Sequence, residues 1–266
     1  MRRPVIVTDL DGTLLNHDDY RWAPAVPALA RAQAAGVPIV LNSSKTAAEM
    51  IELAAQLRLD GPLVFENGGG ICRRPAPDAP WQTTVLGVPR AQLQARLNAL
   101  RARHGWRFRG FGELDVAEVA ALTGLTPAAA ALARRRQCSE PLDWQDDEDA
   151  LAACTSALEA AGLAVTRGGR FVHVSGRHDK GSALEQLPGG TLGQVIALGD
   201  APNDLPMLQR AAVAIVIPRP DGSALAVPGH ADVRIAPAPG AEGWGRAVDS
   251  LLDELGCPRH KEQEHG

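Results

Sequence analysis

The stretch Pro4-Val5-Ile6-Val7-Thr8-Asp9-Leu10-Asp11-Gly12-Thr13 decides the fold. Its first five residues are mostly apolar and β-branched, as in a strand buried on both faces, and Asp-Gly closes it in a turn. With a period of two and a rise of about 3.3 Å, the side chains of Asp9 and Asp11 leave such a strand end on the same side, close enough to share one substrate group and one cation. The same residues would also serve a plain surface turn, with Asp and Gly supplying only backbone geometry.

Downstream the pattern alternates. Ala25 to Ala35 has helical spacing and stops at Gly36, Val37 to Leu41 reads as a second buried strand, Thr46 to Leu57 as a helix and Pro62 to Phe65 as a strand before the turn Glu66 to Gly70. Toward the other end come a strand at Gln194 to Leu198, a helix at Asn203 to Arg210 and a strand at Ala212 to Ile217. Strands alternating with helices predict an α/β, doubly wound parallel sheet. Between about residues 84 and 177 the texture changes to Arg- and Ala-rich helices and strand-like pieces such as Trp106 to Phe111 and Arg170 to Ser175. The expected organisation is therefore a core at 1–83 and 178–266 with an inserted domain at 84–177. Residues 73–80 and 236–243 read as Pro/Gly-rich connections, and the last ten, Cys257 to Gly266, as a frayed polar tail.

Composition removes several functions. The chain has 266 residues, 27 Lys and Arg against 31 Asp and Glu, a formal charge of −4 and 4% aromatics, so it has neither the basic field nor the stacking surface for nucleic acid. Its apolar runs are strand-sized, far short of the ~20 residues a membrane helix needs. Cys72, Cys138, Cys154 and Cys257 are dispersed without a CxxC pair, which suits a reduced, cytoplasmic chain. No membrane or nucleic-acid partner is expected; the oligomeric state is not legible.

Three further motifs lie at strand ends or helix starts. Asn42-Ser43-Ser44-Lys45-Thr46 offers hydroxyls and helix N-terminal amides to phosphate oxygens, or simply an N-cap made by Ser43 or Ser44. Asp179-Lys180-Gly181 supplies a cation, or a solvated loop lysine. Gly199-Asp200-Ala201-Pro202-Asn203-Asp204 packs two acids and an amide behind a buried strand, a set of oxygen donors suited to Mg²⁺.

With these four motifs in this order the chain resembles the haloacid dehalogenase superfamily, and its wording is closest to the mannosyl-3-phosphoglycerate phosphatase family. The likeness rests on Thr8 to Leu15, Leu41 to Thr46, Phe65 to Gly69, Leu122 to Leu125, Arg136 with Ser139-Glu140-Pro141, and Gly169-Arg170-Phe171 running to Gly181. Gln137-Cys138 departs from it, where that family more often has Glu and an aromatic residue. The resemblance implies a Rossmann-like core, an α+β C2-type cap at the insert, and a Mg²⁺-dependent phosphatase acting on a small phosphorylated sugar or glycerate. In it Asp9 is the nucleophile, Asp11 the acid and base, and Ser43 and Lys180 hold the phosphoryl group. Asp9, Asp11, Asp200 and Asp204 surround the metal, and Ser44, Lys45, Asn67, Gly68, Asn203, Arg136 and Arg170 meet the substrate. Arg134 and Arg135 are adjacent alternatives to Arg136. A broader sugar-phosphate phosphatase or phosphomutase on the same core, and a catalytically silent carbohydrate-binding protein, are the competing readings.

Overall fold

The computed structural model describes residues 4–168, 170–187 and 195–259, so Gly169, Gln194 and the tail from residue 260 lie outside the described residues. The chain forms two compact units. One is drawn from residues up to Ser43, Leu57–Pro62 and the chain from Lys180; the other from Ser44–Gln56 and Leu63–Asp179.

In the first unit, β1 (Val5–Thr8) pairs in parallel with β2 (Ile39–Asn42) on one side and β10 (Val195–Gly199) on the other, and β11 (Val213–Val216) and β12 (Val233–Ile235) continue the sheet beyond β10. The order β12-β11-β10-β1-β2 reverses direction at β1, the place in an open α/β sheet where ligands bind beyond the carboxyl ends of the strands. Every residue of β2 and β10 is buried, as their unbroken apolar runs require. Around the sheet lie α1 (Val26–Ala34), α7 (Leu205–Arg210), which packs on β10 and β11, and α8 (Gly240–Glu254), which packs on α1.

Helix α8 begins inside a stretch read from sequence as a connection. Its opening Gly-Ala-Glu-Gly-Trp-Gly has poor helix propensity. A Cβ at Gly243 would stand 1.6 Å from the carbonyl oxygen of Ala238, so close approach of backbone overrides propensity here. The expected fraying is also corrected as far as Arg259. Buried Arg31 donates to the carbonyls of Cys257 and Pro258 and to Asp249 and Asp253, and Arg259 pairs with Asp253.

The second unit contains most of α2 (Ala47–Leu57) and the antiparallel ribbon β3 (Leu63–Phe65), β4 (Gly70–Arg73) and β5 (Gln82–Val85). Residues 84–177 fall wholly within it. There a second antiparallel sheet runs in the order β6-β7-β9-β8, from β6 (Phe108–Gly110), β7 (Ser139–Trp144), β8 (Leu163–Gly168) and β9 (Phe171–Gly176). Helices α3 (Arg90–His104) and α6 (Glu148–Ala160) bury Leu93, Leu97, Leu151, Cys154 and Leu158 against Leu142, Val172 and Val174 of the sheet. The short α4 (Val116–Thr123) and α5 (Pro127–Ala133) form a separate cluster around Phe111, Leu114, Val119 and Ala130, with Phe171 packed on it. Among the described residues no single helix is long and apolar enough to cross a membrane.

Candidate active site

Register brings the first and last motifs together. Thr8 stands opposite Leu198 in the parallel pair β1 and β10, and the Asp9 amide donates to the Leu198 carbonyl at 3.0 Å, so the Asp9 and Asp200 loops leave adjacent strands side by side. The Asp9 end is fixed from behind: the indole N–H of buried Trp244 donates to Thr8 Oγ1 at 2.9 Å, and that hydroxyl donates to the Asp9 carbonyl at 2.7 Å. Gly12, at φ +84°, turns the loop so tightly that a Cβ there would lie 2.7 Å from an Asp200 carboxylate oxygen. Thr13 Oγ1 then donates to Asp200 Oδ1 at 2.8 Å.

Lys180 is the cation of this cluster, fully buried, with Nζ 2.5 Å from Asp9 Oδ1 and 2.6 Å from Asp204 Oδ1. Its backbone is held too, by Asn42 Nδ2 donating to its carbonyl at 2.9 Å. Burial presses the ammonium toward the neutral form, but Asp204 and Asp9 outweigh that and raise its pKa above the usual lysine value. The second oxygen of Asp204 accepts the amides of Asp200 and Ala201, both at 3.0 Å, so Asp204 ties the loop to Lys180.

Burial, followed by the charge of Asp204, lifts the Asp9 carboxyl well above the ordinary carboxylate range in spite of Lys180. Burial raises Asp200 too, against the bond from Thr13. Asp9, Asp200 and Asp204 each offer an oxygen within 4.8 Å of the others, and all three are buried. Ionised, they outnumber the single ammonium by two charges in a desolvated site. An oxygen-only donor set with that excess fits a hard divalent cation such as Mg²⁺. Asp11, half-buried, bridges to Leu15 in the same loop, Ser43 is buried just past β2, and Asn203 is exposed.

The other sequence-selected residues lie in the second unit. The cap of α2 is made by Thr46 and Glu49, which exchange reciprocal bonds (Thr46 N to Glu49 Oε2, 2.7 Å; Glu49 N to Thr46 Oγ1, 3.2 Å), so capping is the task of neither Ser43 nor Ser44. Arg136 is half-buried rather than exposed, donating from Nε to Ser139 Oγ at 2.7 Å and from Nη2 to the Ser44 carbonyl at 2.8 Å. Arg170 is not with it: it sits exposed before β9, its guanidinium donating to the Leu122 carbonyl. Lys45 gives its carbonyl to the Glu66 amide, and Asn67 and Gly68 form the turn after β3. Glu140 points to α3, where Arg90 and Gln94 bind it. On β9, burial and then Arg136 push the His173 pKa down to about 4, which keeps the imidazole neutral.

Sequence reasoning passed over Thr13, Asn42, Trp244, Glu66 and Ser139. All but Trp244 lie inside the motifs that carry the resemblance, and for Asn42 a polar residue closing a buried strand was the signal. Glu66 gave the same signal, an acid directly after Leu63-Val64-Phe65. Trp244 gave none.

Comparison with known proteins adds the following. A family model described as haloacid dehalogenase-like hydrolase matches residues 6–85 and 144–219. A glucosyl-3-phosphoglycerate/mannosyl-3-phosphoglycerate phosphatase of Methanococcoides burtonii is 33% identical over 263 residues, 93% of this chain and 97% of the relative. A protein of the same name from Persephonella marina is 31% identical over 276 residues, covering 95% and 99%. Among solved structures, a haloacid dehalogenase-like hydrolase from Bacteroides thetaiotaomicron superposes with a TM-score of 0.69 at 23% identity, over 94% of this chain and 100% of that one.

Proposed function

Since the chain belongs to the haloacid dehalogenase-like hydrolases and is a phosphoric monoester hydrolase, we propose that its substrate is a glycosyl-3-phosphoglycerate, mannosyl or glucosyl, hydrolysed to the glycosylglycerate and phosphate. The observation that carries the chemistry is the buried Asp9 carboxylate, held by a fully buried lysine beside Asp200. Phosphoryl transfer asks for a positioned nucleophile and charge compensation more than for elaborate covalent machinery, and this cluster supplies both.

Asp9 attacks phosphorus as the bond to the glycerate oxygen breaks, and Asp11 gives that oxygen a proton. Asp11 then takes a proton from water as the water oxygen attacks the aspartyl-phosphate, which releases phosphate and restores Asp9. Lys180 and Ser43 hold phosphoryl oxygens throughout. Mg²⁺ would be held by Asp9 and Asp200 with the Asp11 carbonyl, Asp204 and Asn203 close by, and when bound it supplies charge neutralisation for the transferring group. Residues 84–177 act as a cap that chooses the substrate. Within the second unit, Arg136 is our choice for the glycerate carboxylate because it is already oriented; Arg170 would have to leave the Leu122 carbonyl. Ser44, Lys45, Asn67 and Gly68 are assigned to the substrate's phosphoglycerate end. The four free thiols suit a cytoplasmic setting, and mannosylglycerate biosynthesis is the corresponding role.

The test is a phosphate-release panel with product analysis over mannosyl-3-phosphoglycerate, glucosyl-3-phosphoglycerate, 3-phosphoglycerate and simple hexose phosphates, with and without Mg²⁺. A preference for the glycosyl-phosphoglycerates is expected. A flat profile across the panel would replace this reading with a broad sugar-phosphate phosphatase, and phosphoryl appearing on sugar instead of water would make it a mutase.

A further inference from the structure

Glu66, Asn67 and Gly68 run consecutively through the left-handed region, with φ of 50°, 57° and 92°. Glutamate has no intrinsic reason to sit there, and such backbone persists only where the surroundings over-determine it. The surroundings do. The buried carboxylate accepts the amides of Gln137 at 2.8 Å and Cys138 at 3.0 Å and the hydroxyl of Ser139 at 2.5 Å, with Arg136 Nε 3.8 Å away. The Glu66 amide donates to the Lys45 carbonyl at 2.9 Å, and its own carbonyl lies 3.1 Å from His178 Nε2, which must carry the hydrogen because a carbonyl only accepts. One residue thus touches the segment that follows Ser43, the segment 136–139, and the residue two before Lys180.

Arg136 is locked by the same network. Ser139 Oγ accepts from Arg136 Nε while donating to Glu66, so the hydroxyl is a fixed link between carboxylate and guanidinium, and Nη2 is anchored on the Ser44 carbonyl. Among the described residues this leaves Nη1 as the corner for an incoming acceptor. An arginine held in one rotamer binds an acceptor without first having to be ordered.

We propose that Glu66 is a positioning residue, which through Ser139 and the amides of residues 137 and 138 fixes Arg136 for the carboxylate of the phosphoglycerate portion of the substrate. This rests on the glycosyl-phosphoglycerate reading. The readout is the ratio of kcat/KM for mannosyl-3-phosphoglycerate to that for p-nitrophenyl phosphate, which has no carboxylate, measured with thermal stability for Glu66→Gln, Arg136→Gln and the double variant.

Glu66→Gln is expected to lower that ratio at least tenfold, mainly through KM for the glycosyl substrate, and the double variant to be no more impaired in the ratio than Arg136→Gln alone. Multiplying losses in the double variant, or an equal fall on both substrates, would overturn the proposal by leaving Glu66 a purely structural role. If Glu66→Gln does not fold, Ser139→Ala removes only the linking hydroxyl, and the same KM-weighted fall is expected of it; an unmoved ratio there counts against the proposal. Should the wild-type enzyme turn over no glycosyl-phosphoglycerate, the substrate reading fails by itself, and the same variants are scored on 3-phosphoglycerate against p-nitrophenyl phosphate. A ratio unmoved by Glu66→Gln on that pair refutes the positioning role independently.

Discussion

Replacing Lys180 with Met keeps an unbranched apolar side chain one heavy atom shorter and removes the ammonium, with its charge and its two hydrogen bonds to carboxylates. In the folded protein that charge sits at 0% exposure between Asp9, at 5%, and Asp204, at 0%, with contacts of 2.5 and 2.6 Å. Removing one partner of a buried ion pair costs about 3–5 kcal/mol, because the charge left behind has neither water nor counter-ion. For a chain of this size that corresponds to a fall of roughly 10 °C in Tm, measurable by scanning calorimetry in chelator near neutral pH. The pH dependence has a definite sign. Burial and Asp204 already raise the Asp9 pKa, and without Lys180 it rises further, so between the unfolded value of about 3.9 and the raised folded value the folded state binds a proton that the unfolded chain has lost. Acidification therefore stabilises the variant relative to wild type, and the deficit shrinks as pH falls. Adding Asp204→Asn should recover part of the lost stability and none of the activity. A Tm loss below about 2 °C, a deficit that grows with acid, or a double variant less stable than Lys180→Met would refute this electrostatic account.

Three other outcomes are expected. Asp9→Asn should cut phosphate release by at least about a thousandfold while leaving Tm in chelator no lower than wild type, since it replaces a strained buried acid by a neutral isostere. Because protons compete with the ion for the raised carboxyls of Asp9 and Asp200, the Tm gain on adding Mg²⁺ should be larger near pH 8 than near pH 5.5, and Asp200→Asn should raise the Mg²⁺ needed for half-maximal activity by about tenfold or more, checked by titration. Trp244→Phe loses the donor to Thr8, and should cost about 1–2 kcal/mol in denaturant unfolding and lower kcat with little change in KM.

The sequence was most readable where local pattern and burial agree. The apolar runs of β1, β2, β10 and β11 are strands because no other arrangement hides them on both sides, and the acids at their ends were visible for the same reason. Elements set by tertiary contact were not legible. All of β5 is exposed, and β7 carries Pro141 and two acids, so neither shows an alternating face. Helix α8 hides behind glycines that close packing demands. At the site, a lysine in a Gly-flanked loop reads as solvated, and only the fold shows that Lys180 is sealed among acids contributed by two strand ends. Arg136 could not be told from Arg134 and Arg135 because what sets it apart, Glu66, is distant in sequence. Thr46, not the serines before it, caps α2 because the reciprocal bond comes from Glu49.

The hydrogen-bonded relay from Trp244 through Thr8 to Asp9 bears on the order in which the enzyme is made. Asp9 leaves the ribosome before Lys180, Asp200, Asp204 and the indole that steadies its loop, all of which lie more than half the described chain further on. Strand β1 also pairs with β10, Val5 standing opposite Val195, and pairing at such separation in sequence is slow to form. A growing or prematurely ended chain therefore carries the nucleophile without its cation, its acids or its anchor. Hydrolysis is therefore expected only once synthesis has passed Trp244 in α8, and phosphate release from chains ended before that residue would count against it.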